Sequence, residues 1–361
     1  MPTLPNSPIQ FPCGLTMTNR FMLAPMTNRQ SHENGMLSDE ELHWLTMRAE
    51  GGFGLVMTCA SHVQEVGKGF PGQLGIFSDA LNEGHRRITT RIRELGSLAV
   101  IQLHHAGMRS PADIIHQQPV CPSDHEQPDA RGLTLEEVWQ LRDDFIAAAN
   151  RARACGYHGV EVHGAHGYIL TQFLSPEINH RMDEYGGSLA NRSRLLFEIV
   201  DGIRATCGPK FLLGVRLSPE KFGMDIREIR TVSQQLIDDH SIDLLDISLW
   251  DCFKQPDGPR YQDRSLLEHF TALDRKKVVL TVAGKIRSGQ DVQHILDAGV
   301  DVVSIGRSGI LHHDFPLRVM EDPNFEPVAT PVSEQYLFGE GLSAKFVEYM
   351  RRWPDFVLEE A

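Results

Sequence analysis

Cysteine is scarce and scattered in this chain. Cys13, Cys59, Cys121, Cys155, Cys207 and Cys252 lie far apart and form no Cys-x-x-Cys. No structural zinc or iron–sulfur cluster is expected, and a reduced, cytoplasmic setting is. Long apolar runs are missing too. Nowhere do about 18 apolar residues follow one another, so no membrane-spanning helix is expected. The start, Met1-Pro2-Thr3-Leu4-Pro5-Asn6, lacks a charged stretch and an apolar stretch, so no signal peptide is expected. Positive charge is in deficit: 35 Lys and Arg face 48 Asp and Glu, for a net charge of −13. The basic residues are also dispersed, which argues against a nucleic-acid partner. Low-complexity linkers are absent. What remains is a 361-residue chain with 41% hydrophobic residues, ample for a buried core.

Short apolar runs alternate with longer amphipathic stretches. The runs are 21–24, 55–58, 98–103, 159–162, 211–215, 244–248, 278–282 and 302–305. Unbroken apolar runs predict strands covered on both faces, as in a parallel sheet with helical crossovers. Helices are predicted over 135–155, 192–206, 226–240 and 288–298, with Gly156, Gly208 and Gly299 placed to end three of them. Eight such units in about 300 residues predict a (β/α)8 barrel. A doubly wound sheet is the competitor, but no Gly-x-Gly-x-x-Gly follows the first strand. One domain over 1–361 is expected, with the barrel over about 19–320 and an extension over 324–361. The segment 110–131 reads as a long loop.

In a barrel, chemistry sits at the C-terminal strand ends. The fourth end is the richest: His163-Gly-Ala-His166-Gly-Tyr168 sets two imidazoles and a phenol within six positions. These groups could hold a carbonyl oxygen and deliver a proton, or the histidines could be two zinc ligands. The seventh and eighth ends, Ala283-Gly284-Lys285 and Gly306-Arg307, stand where barrels often bind phosphate. Glycine lets backbone N–H groups approach, and arginine adds a two-pronged donor.

These residues resemble the old yellow enzyme family of FMN-dependent NAD(P)H:flavin oxidoreductases, or ene-reductases, in single-domain form. The resemblance runs from about Asn19 to Pro316. It rests on the block from His163 through Ser175-Pro176, and on Asn179-His-Arg-Met-Asp-Glu-Tyr-Gly-Gly-Ser-Leu-Ala-Asn-Arg192. Ala24-Pro25-Met26-Thr27, Gln102-Leu-His-His-Ala-Gly107, Gly-Val-Arg216 and Ser-Ile-Gly-Arg307 support it. The resemblance implies a (β/α)8 barrel, bound FMN, NADPH or NADH as hydride donor, and a small-molecule substrate. A homo-oligomer is compatible with it. Pro25, Met26, Thr27 and Ala60 would line the flavin. Gln102 would meet its uracil-like edge, and Arg216 the N1–C2=O side. Ala283, Gly284, Lys285, Gly306 and Arg307 would surround the phosphate. His163, beside the flavin, and His166 would bind a substrate carbonyl, with Tyr168 as proton donor to a C=C bond. Ser188 would cap the helix that follows it.

Three features depart from relatives or leave other readings. Some relatives carry a tyrosine after the first strand, where this chain has Asn28-Arg29-Gln30. Others carry a cysteine cluster after the barrel, but no cysteine follows Cys252 here. In some, a C-terminal arginine enters a neighbouring subunit's site, a part Arg351 or Arg352 could play. The alternatives are a metal-dependent hydrolase using His163 and His166, a Schiff-base aldolase using Lys285, and a flavin-binding redox protein or NAD(P)H oxidase without a dedicated alkene.

Overall fold

A computed structural model describes residues 3–359. Met1, Pro2, Glu360 and Ala361 lie outside the described residues, so the leader reading at Met1-Pro2 and the outermost ends of the expected domain fall there too. Eight parallel strands close into a barrel: β1 Phe21–Leu23, β2 Leu55–His62, β3 Leu98–His104, β4 Gly159–Gly164, β5 Leu212–Leu217, β6 Leu244–Ser248, β7 Val279–Ala283 and β8 Val302–Ile305. All eight expected runs are strands of this barrel. Closure comes from β8 pairing with β1. Successive strands are joined by α1 Asp39–Glu50, α2 Asn82–Glu94, α3 Leu135–Ala154, α4 Leu189–Cys207, α5 Ile226–Asp239, α6 Glu268–Thr271 and α7 Gly289–Asp297.

Local chemistry fixes the helix ends. Thr134 and Glu137 form a reciprocal cap on α3. Ser188 accepts from the Asn191 N–H and starts α4 ahead of the expected position. Gly156, Gly208 and Gly299 follow their helices at φ +90°, +84° and +95°, the left-handed region that glycine enters at little cost.

The apolar strands hide a second pattern. Val160, Val162, Leu213, Val215, Leu245, Ile247, Val303 and Ile305 belong to the core between barrel and helices. Met22, Leu55, Met57, Leu98, Val100, Leu212, Leu244, Val279 and Val302 fill the barrel's lower interior with Phe11 and Met17. Those two residues come from the segment of a hairpin, Ile9–Gln10 paired with Thr16–Met17. Above this plug the inward positions turn polar: Gln102, Glu161, Asp246, Thr281 and Ser304, all buried. The barrel is thus greasy below and polar above, as its C-terminal end requires.

One segment differs from the sequence reading. The expected loop over 110–131 holds a turn of helix, Ala112–Ile115, and a three-stranded sheet of Val120–Cys121, His125–Glu126 and Asp129–Gly132. Pairings this short leave no periodicity to detect. Beyond α8 (Phe315–Glu321), the extension forms α9 Glu334–Gly339 and α10 Ala344–Met350 and folds back onto the barrel mouth.

Candidate active site

The β4 end is built on a tight turn. His166 and Gly167 have φ +63° and +72°. A Cβ on Gly167 would lie 2.7 Å from the Phe222 ring, so the turn needs glycine there twice over. Thr171 Oγ1 donates to the Gly164 carbonyl at 3.0 Å, and Gln172 Nε2 to that of Gly167 at 2.8 Å. The locked turn brings His163 Nε2 to 3.0 Å from His166 Nδ1, and His166 Nε2 to 2.7 Å from Ser248 Oγ. Tyr168 stands with its ring centroid 4.4 Å from that of His104 and 5.1 Å from that of His163. The Arg109 guanidinium lies 4.9 Å over the Tyr168 ring and donates to the His166 carbonyl.

Burial sets the charge state. It holds the His163 and His104 imidazoliums well below the usual histidine range, and neighbouring imidazoles and arginines push further the same way. His166 is lowered to about 3 by burial, then by Arg216 and Arg109. Both rings are therefore neutral near pH 7, and each has one N–H to offer. Burial raises the Tyr168 phenol while Arg109 pulls it down, so the phenol keeps its proton. The two expected free donors form a hydrogen-bonded pair instead. To hold one oxygen between them, the rings must give up their mutual bond.

Next to this pair is a cavity of about 280 Å³ at the β1, β6, β7 and β8 ends. Pro25, Met26, Thr27, His166, Arg216, Ala283, Gly284, Lys285, Gly306 and Arg307 all line it. Gly284 has φ +157°, and a Cβ there would come within 2.8 Å of the Asp251 N–H nitrogen. Lys285 is tied to Asp251 at 2.8 Å. Among the described residues no three His, Cys, Asp or Glu side chains converge on a metal position, so the third ligand of the hydrolase alternative is missing there.

Four expected residues lie outside this lining. Ala60 and Gln102 are register partners on β2 and β3, both buried. Gln102 spends its amide on Glu161, Nε2 to Oε1 2.7 Å. His163 and Tyr168 adjoin the cavity through His166. Behind Arg216, a cavity residue, Asp246 Oδ2 sits 3.2 Å from Nε. Burial, then the Asp246 charge, drives the Glu161 carboxyl far above its usual range, so it stays protonated. Of this polar ring the sequence marks Gln102 and Arg216 but not Glu161, Asp246 or Ser304, although these too break the apolar runs. Nor does it mark Trp250, Tyr349 and Trp353, which line the cavity. Tyr349 and Trp353 come from far along the chain, and no local signal marks them.

The cavity suits a flavin phosphate. Arg307 lines it, its guanidinium 5.5 Å from the Trp353 ring centroid and close enough to Arg287, a second lining residue, to feel its charge. Ser304 Oγ, a lining atom of the cavity, is buried without a hydrogen-bond partner, and such a group calls for a polar ligand edge. The model of the NADH:flavin oxidoreductase / NADH oxidase family matches residues 7–325. The chain belongs to that family. As an NADH:flavin oxidoreductase it is 34% identical over 325 residues to a probable NADH-dependent flavin oxidoreductase of Bacillus subtilis, covering 87% of each chain. It is 32% identical to an NADH:flavin oxidoreductase of Gibberella zeae, covering 81% of this chain and 80% of that protein. Among solved structures, the old yellow enzyme homologue from Zymomonas mobilis aligns with TM-score 0.79 and 30% identity, covering 91% of this chain and 95% of that one. Morphinone reductase aligns with TM-score 0.78 and 26% identity over 93% of each. The old yellow enzyme resemblance and the barrel are borne out. The protein is an FMN-dependent, NAD(P)H-using oxidoreductase.

Proposed function

We propose that this oxidoreductase reduces the C=C bond of α,β-unsaturated carbonyl or related compounds, in a ping-pong cycle with NAD(P)H. The observation carrying this reading is the convergence of His163, His166 and Tyr168 beside the Gly284–Arg307 cavity. Bound FMN supplies hydride transfer, from NAD(P)H to the alkene β-carbon. Arg307, Gly284 and Gly306 would hold its phosphate, with Ala283 and Lys285 beside them. Pro25, Met26, Thr27 and Ala60 would border the ring, with Arg216 at its N1–C2=O side and Gln102 near its uracil-like edge. His163 and His166 would each donate to the substrate oxygen and polarise the double bond. Being neutral, they add no charge that oxidised or reduced states must offset. Tyr168 would give its proton to the α-carbon and recover one from solvent. The C=C bond becomes a single bond, and NAD(P)H becomes NAD(P)⁺.

The family also includes NADH oxidases, and an oxidase without a dedicated alkene is the second reading. Stopped-flow study of Tyr168→Phe separates the two. Flavin reduction by NAD(P)H should be unchanged, and cyclohexenone reduction should slow by about 10²–10⁴-fold. Slowing of both steps alike, or of neither, would remove Tyr168 as the acid.

A further inference from the structure

Arg29 follows the first strand end, where some old yellow enzymes carry tyrosine. It is held at φ +58°, and its Nε is buried without a hydrogen-bond partner. Glu33, the acid that acts on it, is itself taken by Lys68 at 2.8 Å. The guanidinium lies 5.1 Å from the Tyr349 ring centroid. A second guanidinium, Arg352, lies 5.9 Å from the same centroid. Like charges gathered at one ring repel, and the Arg29 guanidinium is pushed down by burial first and by Arg352 next. A ring quadrupole offsets this repulsion only weakly, so an anion set between the two guanidiniums would be favoured. Tyr349 itself lines the cavity and is close enough to act on the Tyr168 phenol. The cluster is therefore joined through Tyr349 to the edge of the cavity, although neither guanidinium lines it. In a chain of net charge −13, a cationic cluster also concentrates anions locally.

We infer that Arg29 and Arg352, gathered at Tyr349, form a receptor for an anionic group, carboxylate or phosphate, on a ligand whose reactive part enters the cavity. The anion has two possible carriers. One is the alkene, which makes unsaturated acids the preferred substrates; this form rests on the ene-reductase reading. The other is the hydride donor, whose extra phosphate makes NADPH preferred over NADH. In either case the guanidinium fork supplies paired donors and the ring fixes its plane.

The test uses the FMN-loaded protein and the Arg29→Asn/Arg352→Gln double variant. Asparagine tolerates the left-handed backbone at position 29, so the fold is kept. One arm titrates the oxidised holoprotein with 3-hydroxybenzoate and with its methyl ester, read by flavin absorbance. The other follows flavin bleaching at subsaturating NADPH and NADH. We expect the acid-over-ester preference, the NADPH-over-NADH preference, or both to fall by about tenfold. Ester binding and the NADH rate should stay within about twofold. Arg29→Lys in an otherwise unchanged protein should keep part of the preference through its charge and lose the part that the paired donors supply. Which preference falls names the carrier. The inference is overturned if both preferences persist, or if charged and neutral ligands weaken together. Neither arm requires alkene turnover, so failure to reduce any enone would sink the proposed function without touching this result.

Discussion

Arg307 puts the phosphate reading on one side chain. Its guanidinium lines the cavity at the β8 end, against the Trp353 ring and near Arg287. A charge-assisted hydrogen bond contributes about 1.5–3 kcal/mol. Arg307→Ala should therefore weaken FMN retention by about tenfold or more, measured as flavin remaining after dilution and gel filtration. Full occupancy in that variant would move the phosphate elsewhere. The same reasoning does not extend to Lys285, whose ammonium is bound to Asp251.

At the scale of elements, one arginine ties three segments together. Arg48 on α1 is fully buried. It donates to the Gly309 carbonyl at 3.1 Å, to Trp44 at 3.2 Å and to Glu340 at 2.7 Å. It thus joins α1, the segment after β8 and the turn between α9 and α10. Burial lowers the guanidinium to about 9, still charged at pH 7. Arg48→Met would take this donor from the Gly309 and Glu340 carbonyls. The expected loss is about 1–3 kcal/mol for each of these two carbonyls, read as a lower urea midpoint. Because α10 and Trp353 wall the cavity, weaker FMN binding should accompany it. A midpoint unchanged from wild type would show that the extension is held by its apolar face alone.

Over the whole molecule, buried histidine dominates the response to acid. Burial holds His62, His105 and His166 at about 3, and His85 and His158 at about 4. His104, His163 and His312 are also lowered. Below pH about 6.5 the unfolded chain binds protons at these sites and the folded chain does not, so stability must fall with acid. A group lowered to about 3 costs about 2 kcal/mol by pH 5. Glu41, Glu161, Asp243 and Asp246 are raised by burial and act in the opposite direction, but they are fewer. The melting temperature should drop steadily from pH 7.5 to pH 5. A flat or rising profile would mean that the imidazoles open to water before the fold does.

The order of the barrel was legible in the chain because a strand covered on both faces must be apolar along its whole length. The eight runs therefore mark the eight strands directly. The helix ends were legible for a similarly local reason: Ser188, Gly156, Gly208 and Gly299 act on backbone groups within a few residues. The His163–Tyr168 turn and the glycine–arginine end of β8 were legible because few other chemistries need those residues at strand ends. Tertiary structure decided what local sequence does not encode. It paired His163 with His166 instead of leaving both donors free, because the turn at Gly167 folds one ring onto the other. It turned the Gln102 amide to Glu161 and set Asp246 behind Arg216, because closing the barrel brings neighbouring strands into register. It carried Tyr349 and Trp353 to the cavity and Arg352 to the Tyr349 ring that Arg29 also faces, because α10 packs Phe346, Val347 and Met350 into the core.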